Sequence, residues 1–448
     1  MNKNIFYIKL LFLLTWLPVG IGAQTIGEAW TLDDCISYAL ANNIQLKRSH
    51  ITQLSAQEDI LQSKAALLPS LSASTSQNLV YRPFVESGMS AVTNGSVEYS
   101  VDKFYYNGTY GVSGSWTIWD GLRRKNTIKL NEMSARKAEL DSAATALSIQ
   151  EQITQLYVQI LYSKESIKVN EQSLATSKTN EQRGKTMVEV GTMSKADLAQ
   201  LTAQRAMDEY NIVAAETDVR NYLFQLKQVL ELSDSTPFDI ASPESASIDA
   251  LSAIPSLDDV YASALAHRPE IESARLAIAS SDISVDIARA GNKPSIALQG
   301  GVTTNTNSMS ETGWGKQMKS NLNASVGATL SIPILDNRQT KSAVNKAILN
   351  RELSILDLQD KEKQLYATIE NYWIGAVNNQ ARYKAAQAAA SSEQTSYELL
   401  SEQFRLGLKN IIELMTGKTN LVTAQINELQ SKYMTILNIY MLRYYQGN

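Results

Sequence analysis

The sequence contains few of the residues that most chemical sites require. Its 448 residues include one cysteine, Cys35, and two histidines, His50 and His267. A single cysteine cannot form a disulfide within the chain, and neither histidine has a cysteine or carboxylate cluster at the spacing of metal ligands. No serine, histidine and aspartate constellation and no glycine-rich phosphate loop is evident. We therefore expect no metal, no cofactor and no enzymatic activity, and we interpret Cys35 as a buried helix residue.

Clustered positive charge is also lacking. The chain has 41 Lys and Arg residues against 45 Asp and Glu residues, a net charge of −4. Binding of DNA or RNA needs a basic surface that neutralises phosphates. The composition therefore argues against a nucleic-acid partner.

Long apolar runs are absent beyond the first residues. Lys3 and Lys9 precede an apolar segment, Leu10–Val19, and Ala23 offers a cleavage site, so we predict a secretory signal peptide over residues 1–23. A membrane-spanning helix needs about 18 or more consecutive apolar residues, and no later segment has them. Any membrane insertion of the mature chain must therefore use β-strands.

Glycine and proline are missing from two long segments. Residues 122–183 contain neither, and residues 338–406 contain only Gly375. Apolar residues of the first segment recur at seven-residue intervals, which is the pattern of a coiled coil. They are Ile153, Ile160, Ile167 and Leu174. At about 1.5 Å per residue the first helix would be roughly 93 Å long, so the sequence predicts two helices that cross a considerable distance.

The two halves of the chain resemble each other. Residues 31–34, Thr-Leu-Asp-Asp, match residues 256–259, Ser-Leu-Asp-Asp, and Gly191 matches Gly407. Duplication explains both correspondences. We predict a first repeat over residues 24–232, a linker over 233–255 and a second repeat over 256–448. The returning helices of the two repeats are predicted over residues 194–232 and 410–445.

Four segments alternate between small polar and apolar residues. They cover about residues 70–82, 107–119, 295–305 and 321–334. Their length and pattern are typical of membrane β-strands, although a soluble antiparallel sheet with one wet face shows the same alternation. Four strands cannot close a barrel, so other copies must supply the rest. Because the smallest barrels have about eight strands, an eight-stranded dimer, a twelve-stranded trimer and larger assemblies all remain open.

Local motifs connect this layout with a known family. They are Leu32-Asp33-Asp34, Leu67-Leu68-Pro69-Ser70-Leu71, Trp119-Asp120-Gly121 and Phe404-Arg405-Leu406-Gly407. In their order and spacing the chain resembles the TolC-like outer-membrane efflux protein family, the outer membrane factors. The resemblance implies an α+β, mainly α, fold in which a duplicated unit of long coiled-coil helices forms a periplasmic α-barrel. It also implies that four antiparallel strands contribute to the twelve-stranded outer-membrane β-barrel of a homotrimer.

The resemblance further implies a function. Members are passive exit ducts of tripartite efflux or type I secretion systems, located in the cell outer membrane and its lipid, with helices extending into the periplasm. Their partners are a periplasmic adaptor, or membrane fusion protein, and an inner-membrane pump. The heptads alone also allow the alternative of a periplasmic or surface structural coiled-coil protein without a channel.

The turns between the long and returning helices carry the functional residues that the resemblance implies. Gly191 and Gly407 suit these turns because a left-handed residue ends one helix before the next begins, and these helix-turn tips would dock the adaptor. The candidate residues of the periplasmic gate are Asp197, Phe404, Lys409 and Glu413. Phe404 and Lys409 replace a tyrosine and an arginine of the family pattern, so a hydroxyl and a bidentate link are missing and the closed state is held more weakly.

Two roles compete for the acidic gate residues. Asp197 and Glu413 stand three residues after Ser194 and Asn410, which is the spacing of a helix N-cap and its partner. By resemblance, we also expect Lys409 to pair with Asp197 across the coils and Glu413 to face the aperture as one carboxylate per subunit.

Aromatic residues mark both ends of the predicted strands. Tyr81 and Tyr110 lie near the outer end and Trp116 near the inner end, so we expect all three in the aromatic belts of the lipid face. Each strand pair leaves one helix and returns to another. The loops 83–106 and 305–320 are therefore expected to face the cell exterior.

Surface labelling tests this topology. A cysteine placed at Asn94 or at Thr312 should react with a membrane-impermeant maleimide in intact cells, because both positions lie in the predicted exterior loops. Labelling that occurs only after the outer membrane is broken would invert the topology.

Overall fold

A computed structural model describes residues 29–84, 91–93, 96–98, 102–233, 236–241 and 250–447 of the chain. The signal peptide predicted over residues 1–23 lies outside these residues. Parts of the predicted linker 233–255 and of the predicted exterior loop 83–106 also lie outside them.

Helices dominate the described residues, which confirms the predicted fold class. In chain order they are α1 (Leu32–Asn42), α2 (Ile44–Ala65), α3 (Arg123–Glu189), α4 (Lys195–Leu230), α5 (Leu257–His267), α6 (Pro269–Arg289), α7 (Trp314–Ser320), α8 (Gln339–Arg405) and α9 (Ile411–Gln446). Helices α3 and α8 have 67 residues each, and α4 and α9 have 36 residues each. Helix α3 continues through Gly184, where the sequence predicted its end, because one glycine costs a helix only about 1 kcal/mol. None of the described helices has the length and apolar character needed to cross a membrane.

The first helix of each half begins at a capped residue. The Thr31 backbone N–H donates to Asp34 Oδ2 at 3.0 Å, and the Asp34 N–H donates to Thr31 Oγ1 at 3.2 Å. In the second half, the Asp259 N–H donates to Ser256 Oγ at 3.2 Å. Each hydroxyl satisfies a backbone N–H that the first helical turn leaves free. Thr31 and Ser256 therefore cap the first helices of the two halves.

The described strands form one four-stranded sheet and one short hairpin. They are β1 (Ser70–Tyr81), β2 (Ala91–Thr93), β3 (Ser96–Glu98), β4 (Phe104–Trp119), β5 (Ser295–Asn307) and β6 (Asn323–Ser331). The large sheet is antiparallel in the order β1-β4-β5-β6, and β2 pairs with β3. The alternating pattern predicted the four long strands. It did not predict β2, β3 or the helix α7, because elements this short show no clear period.

The register of the sheet separates polar from apolar residues. One row across the four strands is Ser72, Ser113, Gly301 and Ser325. The next row is Ala73, Val112, Val302 and Ala324. Because successive side chains of a strand point to opposite faces, the sheet has one face of small polar residues and one apolar face.

The chain folds into two compact units. The first contains the described residues of Met1–Asn43, Ile149–Ala253 and Gly375–Tyr440, and the second contains the described residues of Ile44–Ser148, Ile254–Ile374 and Met441–Asn448. The large sheet belongs entirely to the second unit. The α3–α4 and α8–α9 turns belong to the first. Each unit draws on both halves of the chain, so compact units and sequence repeats are different divisions, and the repeat boundaries stay a prediction.

Glycine permits close backbone approach in the middle of the sheet. A Cβ on Gly301 would lie 2.9 Å from the Val112 carbonyl oxygen, whereas a Cβ on Gly327 would meet nothing within 4 Å. Both residues lie on the polar face. The two positions therefore form a matched pair, one crowded and one open.

We expect Gly301→Ala to destabilise the sheet by about 1–3 kcal/mol, the usual cost of overpacking. Gly327→Ala should be nearly neutral, since its methyl group meets open space within the chain. The temperature at which the purified protein loses its β-sheet circular dichroism signal measures the difference. Equal midpoints for the two variants would contradict the crowding at Gly301.

Candidate functional site

Two glycine turns organise the candidate site. Gly191 between α3 and α4 has φ +79°, and Gly407 between α8 and α9 has φ +74°. The Thr192 N–H donates to the Met187 carbonyl at 2.8 Å, and the Leu408 N–H donates to the Gln403 carbonyl at 2.9 Å. These bonds close the C-terminal turns of the long helices around a left-handed residue. Nothing lies within 4 Å of a Cβ on either glycine, so the backbone angle and not crowding requires glycine.

The residues after each turn cap the returning helix. The Asp197 N–H donates to Ser194 Oγ at 3.0 Å, and the Ser194 hydroxyl donates to Asp197 Oδ2 at 2.8 Å. At the second turn, the Glu413 N–H donates to Asn410 Oδ1 at 2.9 Å, and the Asn410 N–H donates to Glu413 Oε2 at 3.1 Å. The capping role predicted for Asp197 and Glu413 is confirmed.

Lys409, in the turn before α9, pairs with a carboxylate of that helix. Its Nζ lies 2.5 Å from Glu413 Oε1, four residues along the chain. The hydrogen bond from Lys409, followed by the backbone N–H of Asn410, lowers the pKa of Glu413 below its ordinary value. Within the described residues of one chain, Lys409 therefore contacts Glu413 and not Asp197. The link from Lys409 to Asp197 stays a prediction about neighbouring copies.

Phe404 is a core residue within the chain. Its side chain is 3% exposed and belongs to an apolar cluster with residues of α4, α8 and α9. The other buried members of the cluster are Leu201, Tyr397, Ile411, Leu414 and Leu421. A hydroxyl at this position would need a hydrogen-bond partner, so the apolar ring suits its surroundings.

A buried ion pair that the sequence analysis missed links three helices near this cluster. Lys418 Nζ on α9 contacts both Asp208 Oδ2 on α4 and Ser177 Oγ on α3. Ser177 Oγ donates to Asp208 Oδ2 at 2.6 Å, and Gln204 Nε2 donates to Asp208 Oδ1 at 3.1 Å. Both charged side chains are 5% exposed. Burial lowers the pKa of Lys418, and the hydrogen bond with Asp208 opposes that shift.

Small and polar residues form a second heptad seam on α3. Ile153 and Ile160 are fully buried as predicted, but Ile167 and Leu174 are only half-buried. The more buried positions further along α3 lie seven residues apart and are Ser163, Asn170, Ser177 and Gly184. A heptad pattern of apolar residues does not reveal this seam, whereas small and polar residues recurring at the same spacing do.

The predicted belt residues lie on one face of the sheet. Tyr81 stacks on Phe104 with ring centroids 4.4 Å apart, and Tyr110 meets Trp314 edge-on at 6.1 Å. At the opposite end of the strands, Trp116 Nε1 donates to the Leu67 carbonyl at 2.8 Å. Each aromatic residue therefore combines an apolar ring with a satisfied polar contact or a stacking partner, as residues of a membrane interface do.

Solved structures with the same fold define the class of this protein. The CmeC outer membrane channel of Campylobacter jejuni superposes with a TM-score of 0.76 at 20% identity, covering 93% of this chain and 85% of CmeC. The outer membrane protein VceC of Vibrio cholerae superposes with a TM-score of 0.75 at 14% identity, covering 93% of this chain and 96% of VceC. The chain therefore has the fold of outer-membrane channels.

Sequence comparison gives the family. The outer membrane efflux protein model matches residues 35–231 and 260–443, and the chain belongs to this family. The outer membrane efflux protein BepC of Brucella suis is 22% identical over 415 residues, which are 92% of this chain and 84% of BepC. The outer membrane protein TolC of Vibrio cholerae is 22% identical over 442 residues, which are 95% of this chain and 94% of TolC. The protein is thus an outer-membrane efflux channel, and the interpretation as a purely structural coiled coil is set aside.

Breaking the buried ion pair should be costly. Lys418→Met leaves Asp208 buried without its cation, and we expect a loss of about 3–5 kcal/mol. Lys409→Met, which removes an exposed ion pair, should cost about 0–1 kcal/mol. The temperature at which purified protein loses helicity, followed by circular dichroism, compares the two.

The double variant Lys418→Met with Asp208→Leu removes both charges and should recover most of the lost stability. If the Lys418→Met and Lys409→Met variants lose helicity at the same temperature, the buried ion pair does not hold the helices together.

Proposed function

We propose that three copies of the chain assemble into a passive exit duct across the outer membrane. The open four-stranded sheet carries this proposal. Its outer strands β1 and β6 each pair with one neighbour in the described residues of the chain. An unpaired strand edge in lipid leaves backbone groups unsatisfied at a cost of several kcal/mol each, so β6 of one copy must pair with β1 of the next. Three copies give twelve strands and a closed barrel.

The two faces of the sheet support this arrangement. The apolar face leaves large side chains exposed within the chain, including Leu71, Val112 and Val326, and lipid would cover them. The other face carries hydroxyl pairs, such as Ser70 with Ser115 at 2.9 Å and Ser72 with Ser113 at 3.2 Å. A water-filled interior suits these hydroxyl groups.

The helix turns provide a docking surface for a periplasmic adaptor, which in turn contacts an inner-membrane pump. Apolar side chains beside the two glycines are exposed: Val190 by 68%, Leu406 by 58% and Leu408 by 70%. Apolar groups gathered at a turn are unfavourable in water unless a partner covers them. The relatives are named for export of toxins and drugs, of pyoverdine and of proteases, so we assign the choice of cargo to the pump.

The residues after the turns would control the entrance. In a trimer, Lys409 and Glu413 occur three times around one axis, so each forms a ring. A Lys409 side chain shared between its own Glu413 and the neighbouring Asp197 would hold adjacent coils together. Loss of that cation would loosen the coils and expose the carboxylates to passing ions.

Planar-bilayer recordings test the duct and its gate together. Wild-type trimers, verified by native mass measurement, should form cation-selective channels. Lys409→Ala should raise the single-channel conductance and leave cation selectivity at least as strong. Glu413→Ala should weaken the cation selectivity, and multivalent cations should block the channel less effectively.

Lys195→Ala provides the control, because Lys195 is an exposed lysine beside the first turn with no ion pair in the described residues. A dimeric or monomeric wild type would refute the duct. Unchanged conductance and selectivity in intact Lys409→Ala and Glu413→Ala trimers would leave helix capping as the only role of these residues.

A further inference from the structure

The short helix α7 lies against the apolar face of the sheet near its outer end. Thr304 Oγ1 on β5 donates to the Met318 carbonyl of α7 at 2.9 Å, and Trp314 Nε1 donates to Tyr110 Oη at 3.4 Å. Thr304 and Tyr110 are partners in the register, so they share a face. Val112 and Trp116 lie on the same face of β4, which the duct would turn toward lipid. Helix α7 is therefore on the outside of the proposed barrel.

One buried glutamine fixes α7 to the sheet. Gln317 Oε1 accepts from the Asn307 N–H at 2.7 Å, and its Nε2 donates to the Asn307 carbonyl at 3.0 Å and to the Thr312 carbonyl at 2.5 Å. Beneath the helix, Thr304 and Thr306 are 7% and 3% exposed. These contacts make α7 a fixed part of the outer wall.

At the level of α7 the outward face changes from aliphatic to mainly aromatic and hydroxyl-bearing residues, with Leu79, Tyr81 and Phe104 exposed further along the strands. Above the row of Ala73 and Val112, the next row contains Thr75, Tyr110 and Thr304. Tyrosine hydroxyls and the indole N–H are hydrogen-bonded there, with 3.3 Å between Tyr106 Oη and Tyr110 Oη. A ring of apolar aromatic bodies with polar tips marks the boundary between hydrocarbon and headgroups. Helix α7 therefore lies at the height of the outer-leaflet headgroups.

Positive charge is concentrated on α7 at this height. The strands β1, β4, β5 and β6 contain no Asp, Glu, Lys or Arg. Lys316 and Lys319 are three residues apart on α7, a spacing that places them on one side of a helix, and both are exposed. Neither forms an ion pair with another described residue. Helix α7 packs on the middle strands β4 and β5, whereas a neighbouring copy would join at β1 or β6. The outer surface of α7 would therefore remain exposed in the assembly.

We propose that α7 anchors the channel to anionic lipid of the outer leaflet, with Lys316 and Lys319 binding lipid phosphate groups and Trp314 lying at the interface. The proposal rests on the proposed duct, which sets the outward face and the outer end. Charge complementarity identifies the ligand as an anionic lipid, because Lys316 and Lys319 have no ion-pair partner among the described residues and lie at the height of lipid phosphate groups. Each copy would supply one such site.

Lipid binding to purified trimers tests the proposal. Native mass spectrometry would follow the binding of phosphorylated lipid A, dephosphorylated lipid A and inorganic phosphate. At about fivefold in affinity for each lysine near an anionic surface, Lys316→Gln with Lys319→Gln should weaken binding of phosphorylated lipid A roughly 30-fold. Wild-type protein should bind dephosphorylated lipid A similarly weakly, and inorganic phosphate should not compete.

A matched charge control is the double variant Lys361→Gln with Lys384→Gln, which removes two exposed lysines of α8. It should bind lipid A as the wild type does. Equal affinity of the wild type and the Lys316→Gln, Lys319→Gln double variant for phosphorylated lipid A would overturn the proposal. Competition by inorganic phosphate would also overturn it, because the ligand of the site would then be a free anion and not a lipid. Trimer mass and conductance of the wild type, measured separately, report on the duct itself.

Discussion

The free edges of the four-stranded sheet are the constraint on which the rest of the molecule depends. Water can satisfy an unpaired strand edge, but hydrocarbon cannot, so a sheet that ends at β1 and β6 must be completed by other copies before it enters lipid. Closure explains features of the strands that a soluble sheet would not need. They are free of charged side chains, and at Gly301 they bring two backbones into close contact.

Near the turns the helices combine two kinds of contact, the apolar cluster around Phe404 and the seam of small and polar residues on α3. An apolar seam would be more stable than the buried pair of Lys418 and Asp208, because two charges lose their hydration when they are buried. The pair gives geometric specificity in exchange. Lys418 contacts Asp208 and Ser177 together in the observed alignment of α9 against α3 and α4. A sliding coil would leave the charges unpaired, so the seam fixes the register of the coils as well as their contact.

Much of the fold follows from the sequence by simple rules. The absence of glycine and proline predicted α3 and α8, capping pairs such as Ser194 with Asp197 predicted helix starts, and alternation predicted the four long strands. The missed features depend on tertiary contacts. Helix α7 exists because Gln317 finds backbone partners on β5, and no local pattern reveals that. Lys418 and Asp208 are 210 residues apart, and each alone resembles an ordinary solvated helix residue. At the turns, the sequence identified the capping pairs, but geometry within one chain favoured Glu413 as the partner of Lys409.

The distribution of charge bears on how one duct can serve unlike cargoes. The polar face of the strands offers serine and threonine hydroxyls, which donate and accept hydrogen bonds and therefore interact similarly with anionic, cationic and neutral molecules. A wall without fixed charge creates no strong field that would retain one class of cargo. At the turn between α8 and α9, by contrast, Lys409 and Glu413 form an ion pair within one chain, and the proposed trimer would bring a neighbouring copy beside them. Under the proposed function, a strand wall of this kind would pass cargo of either charge, and selection by charge at the candidate site would act at Lys409 and Glu413.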